Sequence, residues 1–286
     1  MWILFAFGSA LFAGITAILA KIGITNTDSN LATAIRTIII LIFSWIMVFI
    51  IGSFDTITTI STKTLVFLIL SGIATGASWL CYFKALQLGD VNKVTPIDKS
   101  STVLTMILAF IILGEEITML KVLAMVLIGI GIYMMIEKKK IVNKKIVENK
   151  YMIYACGSAL FASLTSILGK IGIQGVESNL GTAIRTIVVL LMAWIVVFVT
   201  KKHSDIMKIS NKNLKFICLS GITTGISWLC YYKALQDGKA SIVVPIDKLS
   251  IVLTVGFSYF ILKEKLTKKS SIGLIVIVVG TLMLLI

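Results

Sequence analysis

The residues of this chain that could do charge chemistry occur as matched pairs inside apolar sequence. Pro96-Ile97-Asp98-Lys99-Ser100-Ser101 returns 149 residues later as Pro245-Ile246-Asp247-Lys248-Leu249-Ser250, and these copies hold the only two prolines. The only two arginines, Arg36 and Arg185, stand at the same spacing in Ala-Thr-Ala-Ile-Arg-Thr and Gly-Thr-Ala-Ile-Arg-Thr. An ionised side chain near the centre of a membrane helix costs roughly 2.5–3.5 kcal/mol on insertion scales. Arginine cannot shed its charge to escape that cost. Arg36, Asp98, Lys99, Arg185, Asp247 and Lys248 are therefore expected to line a polar seam between helices and to contact the solute. There the carboxylates could carry a proton, and the cations could hold an anionic group. Asp98, Ser101 and Thr105, like Asp247, Ser250 and Thr254, follow i, i+3, i+7 spacing, which places each set on one helix face. The alternative is an interhelical ion pair, such as Arg36 with Asp98, that only fixes packing.

A second repeated group is aromatic and basic. Ser78-Trp79-Leu80-Cys81-Tyr82-Phe83-Lys84-Ala85-Leu86-Gln87 recurs as Ser227-Trp228-Leu229-Cys230-Tyr231-Tyr232-Lys233-Ala234-Leu235-Gln236. It follows Gly72-x-x-x-Gly76 and Gly221-x-x-x-Gly225, a spacing that lets helices approach closely. Tryptophan in membrane helices commonly forms interfacial belts. Trp79 and Trp228 sit instead in mid-run behind a small-residue face, so the reading places them, with Tyr82, Lys84, Tyr231 and Lys233, on the cavity wall. Lys21 and Lys170 end their runs and can snorkel.

The elements that carry these groups are membrane helices. The chain has 286 residues, 58% hydrophobic and 14% charged, with a mean hydropathy of +1.02. That composition excludes an ordinary soluble domain. The net charge of +14 sits in short gaps between apolar runs, so it reads as positive-inside topology and not as a nucleic-acid surface. Cys81, Cys156, Cys218 and Cys230 lie in apolar runs without metal-ligand spacing, which makes them small buried hydrophobes. No nucleophile–base set is present, so an enzyme is not expected, and no cofactor is implied.

Five apolar runs occupy each half: about 2–20, 31–51, 65–88, 95–113 and 120–136, then 151–169, 180–199, 214–237, 244–262 and 270–286. The first run has a near-copy at Tyr151–Gly169 and is read as a span, not a cleaved leader. This gives two five-helix units, 1–136 and 151–286, joined by a basic linker, 137–150. An odd number of spans per unit inverts the second unit. The lysines agree. Lys201, Lys202, Lys208, Lys212, Lys215, Lys263, Lys265, Lys268, Lys269 and the linker lysines share one face, whereas Lys63, Lys121 and Lys239 lie on the other. The expectation is an all-α membrane protein of ten transmembrane helices, built as two inverted repeats in the cell membrane. Its basic loops would be cytoplasmic and both termini outside. Ser29 or Asn30 is the expected N-cap of the second run, and Gly114-Glu115-Glu116 a surface turn.

Two five-span halves, each with aromatic-Lys-Ala-Leu-Gln closing the third span, proline in the fourth and a Gly/Lys-Glu ending, resemble the EamA-type transporters of the drug/metabolite transporter superfamily. The resemblance covers nearly the whole chain. It implies a central cavity formed mostly by spans one to four of each half, and movement of small metabolites without ATP. Some members are single five-span units that assemble as pairs. Members carry amino acids, nucleotide sugars, phosphorylated sugars, choline-like cations and drugs. Asp-Lys after the proline departs from the usual apolar pattern, so no aromatic amino acid specificity is carried over. The expected function is secondary transport of a small solute bearing an anionic group, by alternating access and with H+ as the coupling ion. The expected partners are the lipid bilayer and that solute, not nucleic acid. A second reading is a non-transporting membrane subunit or a flippase for a lipid-linked anion, which requires a lateral opening between helices.

Overall fold

A computed structural model describes residues 1–24, 27–88, 94, 97–135, 150–262 and 267–286. The described elements are helical: α1 (Trp2–Gly23), α2 (Ser29–Ile51), α3 (Thr62–Leu88), α4 (Ser101–Ile112), α5 (Met119–Met134), α6 (Lys150–Ile173), α7 (Ser178–Val199), α8 (Asn211–Asp237), α9 (Ala240–Lys248), α10 (Ser250–Leu262) and α11 (Lys268–Leu282). Short 3-10 turns occupy Ser53–Thr59, His203–Lys208 and Met283–Leu285. Pro96, Glu264 and the linker residues 137–149, all singled out in the sequence, lie outside the described residues.

Among the described residues, seven helices are long and apolar enough to cross a membrane by length and composition, and α5 is a shorter apolar helix. The fourth run of the second half is not one continuous helix. Pro245 is buried inside α9, and the break comes one turn later, where Leu249 N donates to Ile246 O at 2.9 Å and Val252 N to Leu249 O at 2.9 Å. The first half repeats the tightened turn, with Ser100 N bonded to Ile97 O at 3.2 Å. The Asp-Lys pairs thus sit beside a bend in the chain and not in mid-helix.

The helix starts obey local chemistry in both halves. Thr118 caps α5 through Lys121 N at 3.3 Å, and Thr267 caps α11 through Ser270 N at 3.2 Å. The cap of α2 is not Ser29 or Asn30 as the sequence suggested. It is Asp28, whose Oδ1 accepts from Asn30 N at 2.9 Å and Leu31 N at 3.1 Å. Glu177 does the same for α7, accepting from Asn179 N and Leu180 N at 2.9 and 3.0 Å. A carboxylate offers more acceptor capacity than a hydroxyl, and its charge opposes the positive end of the helix dipole.

Packing is organised by cross-repeat helix pairs: α1 with α8, α3 with α6, α2 with α7, and α5 with α11. The contacts run in opposite chain directions. Gly8 of α1 lies against Cys230 and Gly23 against Ile217 of α8; Gly157 of α6 lies against Cys81 and Gly172 against Leu68 of α3. The glycine pairs of the sequence face α7 and α2. A Cβ on Gly72 would meet Val188 at 2.7 Å, and one on Gly221 would meet Ile39 at 2.8 Å. The last helices of the two halves are α5 and α11. They pack on each other, so closely that a Cβ on Gly131 would lie 2.7 Å from Gly273 O. Gly280 of α11 lies against Ala124 O and Leu127 of α5, which makes this pair antiparallel as well. Because α5 and α11 are sequence copies, their antiparallel contact relates the halves by a two-fold axis across the helix direction.

Candidate functional site: the junction of the two Asp-Lys motifs

The two motifs meet. Lys99 lies within electrostatic reach of Asp98, Asp247 and Lys248, so four charges from both halves share one junction. Asp98 accepts from Ser158 Oγ at 2.6 Å, and Asp247 accepts from Ser9 Oγ at 2.6 Å. Each carboxylate is therefore held by the first helix of the opposite half. The serines are themselves buttressed. Ser78 Oγ donates to Ser158 O at 3.1 Å, and Ser227 Oγ donates to Ser9 O at 3.0 Å. Hydrogen bonds to a charged acceptor are stronger than neutral ones, which answers the desolvation cost raised by the sequence.

The two motifs differ in their pairing. Lys248 Nζ stands 3.4 Å from Asp247, whose side chain is only 13% exposed. Lys99 has an exposed side chain at a position surrounded by protein, and no ion pair involves it among the described residues. The exposure of Lys99 leaves this side of the junction accessible to solvent. Ser101 and Ser250 begin α4 and α10 beside it, both half-buried. Their carbonyls take the hydroxyls of Thr105 at 2.7 Å and Thr254 at 3.0 Å, so the threonines of the polar stripe bond their own helix.

Tyr82 and Ile97, the neighbour of Asp98, pack against the same buried cluster of Ala85, Val94 and Ala155. Tyr231 lies within reach of Asp247, and its hydroxyl donates to Ser166 Oγ at 2.9 Å. The aromatic pairs thus flank the junction. Trp79 instead packs on Leu31, Ala34, Ala193 and Val197. Lys233 turns to the end of α8, bonded to Asp237 at 3.1 Å, and is not brought to the four-charge junction; Lys84 is exposed near the end of α3.

Arg36 and Arg185 do not pair with the motif carboxylates. Arg185 is 2% exposed. Its Nε donates to Ser71 Oγ at 2.9 Å, its Nη2 donates to Thr75 Oγ1, and its guanidinium lies 5.2 and 4.8 Å from the rings of Trp228 and Tyr232. Cation–π and hydroxyl contacts take the place of a counter-ion. The Nε of Arg36 is buried without a hydrogen-bond partner among the described residues. The alternative of an Arg36–Asp98 ion pair is absent among them.

Sequence reasoning passed over several residues. Ser9, Ser158, Ser78 and Ser227 are all preserved between the halves, a signal obscured by the small-residue pattern around them. Glu115 was read as part of a surface turn; it caps α9 of the other half, accepting from Ala240 N at 2.6 Å and Ser241 N at 3.0 Å. Lys170 does not snorkel. It is 8% exposed and donates to the C-terminal carbonyls of α8, including Gly238 O at 2.8 Å. No group of metal-binding side chains occurs among the described residues.

Comparison with known proteins matches this arrangement to one family. The profile of the EamA-like transporter family matches residues 1–137 and again 149–286. An uncharacterized transporter of Sinorhizobium sp, encoded in the cobO 3' region, is 42% identical over 130 residues, which is 46% of this chain and 92% of that protein. An uncharacterized protein of Methanocaldococcus jannaschii is 35% identical over 103 residues, 33% of this chain and 75% of that one. The Sinorhizobium relative is thus about the size of one repeat. A crystal structure superposes with a TM-score of 0.78 over 99% of this chain and 96% of its own, at 15% identity, and so shares the fold.

Proposed function

Because the chain belongs to the EamA-like transporter family, we propose that it is a secondary transporter whose inverted five-helix repeats alternately expose a central site to the two sides of the membrane. The family and the transporter-named relative point to transport rather than catalysis. The carrying observation is the junction: Asp98, Lys99, Asp247 and Lys248, two motifs from opposite halves, gathered where the halves meet. The antiparallel contact of the copied helices α5 and α11 supports the inverted arrangement, and inverted repeats place solute and ion sites at their interface.

The solute carries an anionic group. Lys248 is occupied by Asp247, whereas Lys99 is accessible and has no ion-pair partner among the described residues, so it is the ammonium left to receive that group. Tyr82, Tyr231, Ser101 and Ser250 flank the site. Asp98 and Asp247 are the coupling carboxylates, each able to exchange a proton for its serine-held charge. The lysine-rich ends of α6, α7, α8 and α11 face the cytoplasm.

Flux into liposomes under an imposed pH gradient tests the reading. Purified protein is first screened by thermal shift against small metabolites, since a ligand of the folded state raises its stability. The stabilising solute should then enter proteoliposomes faster with the gradient than without it. Asp98→Asn combined with Asp247→Asn should abolish that acceleration; unchanged flux in the double variant refutes the carrier role.

A further inference from the structure

The two Asp-Lys motifs bring equal numbers of carboxylates and ammoniums to the junction. Each half then adds a guanidinium, Arg36 or Arg185, and no ion pair involves either among the described residues. Arginine keeps its charge at any working pH, and an uncompensated charge within a membrane helix is costly. Both guanidiniums also leave a buried nitrogen without a hydrogen-bond partner among the described residues, Nε of Arg36 and Nη1 of Arg185.

Arg185 is held so that one edge stays unused. Its Nε donates to Ser71 Oγ at 2.9 Å and its Nη2 to Thr75 Oγ1, both on α3. The two hydroxyls spend their own hydrogens elsewhere, Ser71 on Thr165 O at 2.8 Å and Thr75 on Ser71 O at 2.9 Å. Their oxygens are thus set to accept. The rings of Trp228 and Tyr232, on α8, lie 5.2 and 4.8 Å from the guanidinium carbon. A guanidinium is planar and has five N–H donors. What remains is the edge made by Nη1 and the second Nη2 hydrogen. That edge matches an oxyanion, which takes two parallel hydrogen bonds from it.

The tyrosine pair connects this edge to the junction. Tyr231 packs edge-on against Tyr232 with ring centroids 5.2 Å apart. Both tyrosines lie within electrostatic reach of Arg185 and of Asp247, and Lys99 lies within reach of Asp247 as well.

We propose that the solute is a small dianion, with one anionic group on Lys99 and a second, a carboxylate or phosphate, held edge-on by Arg185. The inference rests on the transport reading and names its substrate class. In the seam four cations, Arg36, Lys99, Arg185 and Lys248, face the carboxylates of Asp98 and Asp247. A dianion balances that excess, whereas a monoanion leaves half of it. Arg185 is 2% exposed, so its edge is reached when α3 and α8 part around it during the cycle.

The chain has only two arginines, so phenylglyoxal reads the site in the unaltered protein. Proteoliposomes are treated in chloride, acetate, succinate or inorganic phosphate at equal ionic strength. Mass spectrometry follows the peptides carrying Arg36 and Arg185, with urea-unfolded protein as the reference. Arg185 should react in the folded protein, and succinate or phosphate should slow it at least threefold relative to chloride. Protection by succinate identifies a carboxylate group, and protection by phosphate a phosphate. Acetate should protect less. Arg185→Lys keeps the charge but not the paired donors, and should abolish the rise in unfolding temperature that the protecting anion gives the parent. An Arg185 that reacts only after unfolding, equal rates in chloride, succinate and phosphate, or an undiminished rise in Arg185→Lys overturns the site. Protection by acetate equal to that by succinate and phosphate overturns the dianion. Absence of flux for every solute would defeat the transport reading while leaving the protection standing. Flux through a protein whose Arg185 neither dianion protects would overturn this inference alone.

Discussion

Ser158 donates a 2.6 Å hydrogen bond to Asp98, a carboxylate of the opposite repeat, and Ser9 gives Asp247 the same bond at the same length. The two motifs are thereby cross-held, each anchored to the half that does not contain it. A hydrogen bond to a charged group contributes about 1.5–3 kcal/mol. Ser158→Ala and Ser9→Ala should each lower stability by about 1–2 kcal/mol in detergent unfolding. The two losses should be similar, because the contacts are equivalent. A loss confined to one of them would show that the two carboxylates are held unequally.

Lys99→Gln should remove the receiver of the solute's anionic group. For the metabolite found by thermal shift, affinity should fall about tenfold or more, equivalent to about 1.4 kcal/mol. Lys248→Gln should act more weakly, since its ammonium is already engaged by Asp247 at 3.4 Å. Equal effects from both variants would contradict the assignment of Lys99 as the receiving group.

The contact between the last helices of each half leaves no room for a methyl group. A Cβ on Gly131 would lie 2.6 Å from Ile277 Cγ1 and 2.7 Å from Gly273 O, whereas one on Gly129 would find Val103 Cγ2 at 3.7 Å. Overpacking of this kind costs about 1–3 kcal/mol. Gly131→Ala should therefore be destabilising and Gly129→Ala neutral or slightly stabilising, a contrast that thermal unfolding of the two purified variants measures directly.

Helix capping gives a matched comparison at the start of the second helix of each half. Asp28→Ala and Glu177→Ala should each cost about 1 kcal/mol. Ser29→Ala should cost much less, because Asp28 already takes the amides of Asn30 and Leu31. Unfolding midpoints that rank Ser29 above Asp28 would return the cap to the serine.

Much of this protein was legible without coordinates. Duplication at a constant spacing identified the halves, and the cost of charge in hydrocarbon singled out Asp98, Lys99, Asp247 and Lys248. The caps at Thr118 and Thr267 obey the same local chemistry, although the sequence reading did not single them out. Near misses were also local in origin. Ser29 and Asn30 looked like caps because a hydroxyl or amide before an apolar run often is one, yet the residue before them carried a stronger acceptor.

What sequence could not supply was partnership across the two-fold axis. Amphipathic spacing tells which residues share a helix face, but not which foreign helix lies opposite. That choice comes from close packing of α1 on α8, α3 on α6 and α5 on α11, which is set by shape over the whole bundle. So Ser9 and Ser158 emerged as partners of the carboxylates, Glu115 changed from a surface turn into the cap of α9, and Arg185 found hydroxyls and aromatic rings instead of a carboxylate. Equal sequences also gave no reason for Lys170 to be buried and Lys21 exposed. A duplicated chain determines two equivalent sets of residues, and only the tertiary structure decides which surroundings each set finds, because packing depends on the shape of the whole bundle.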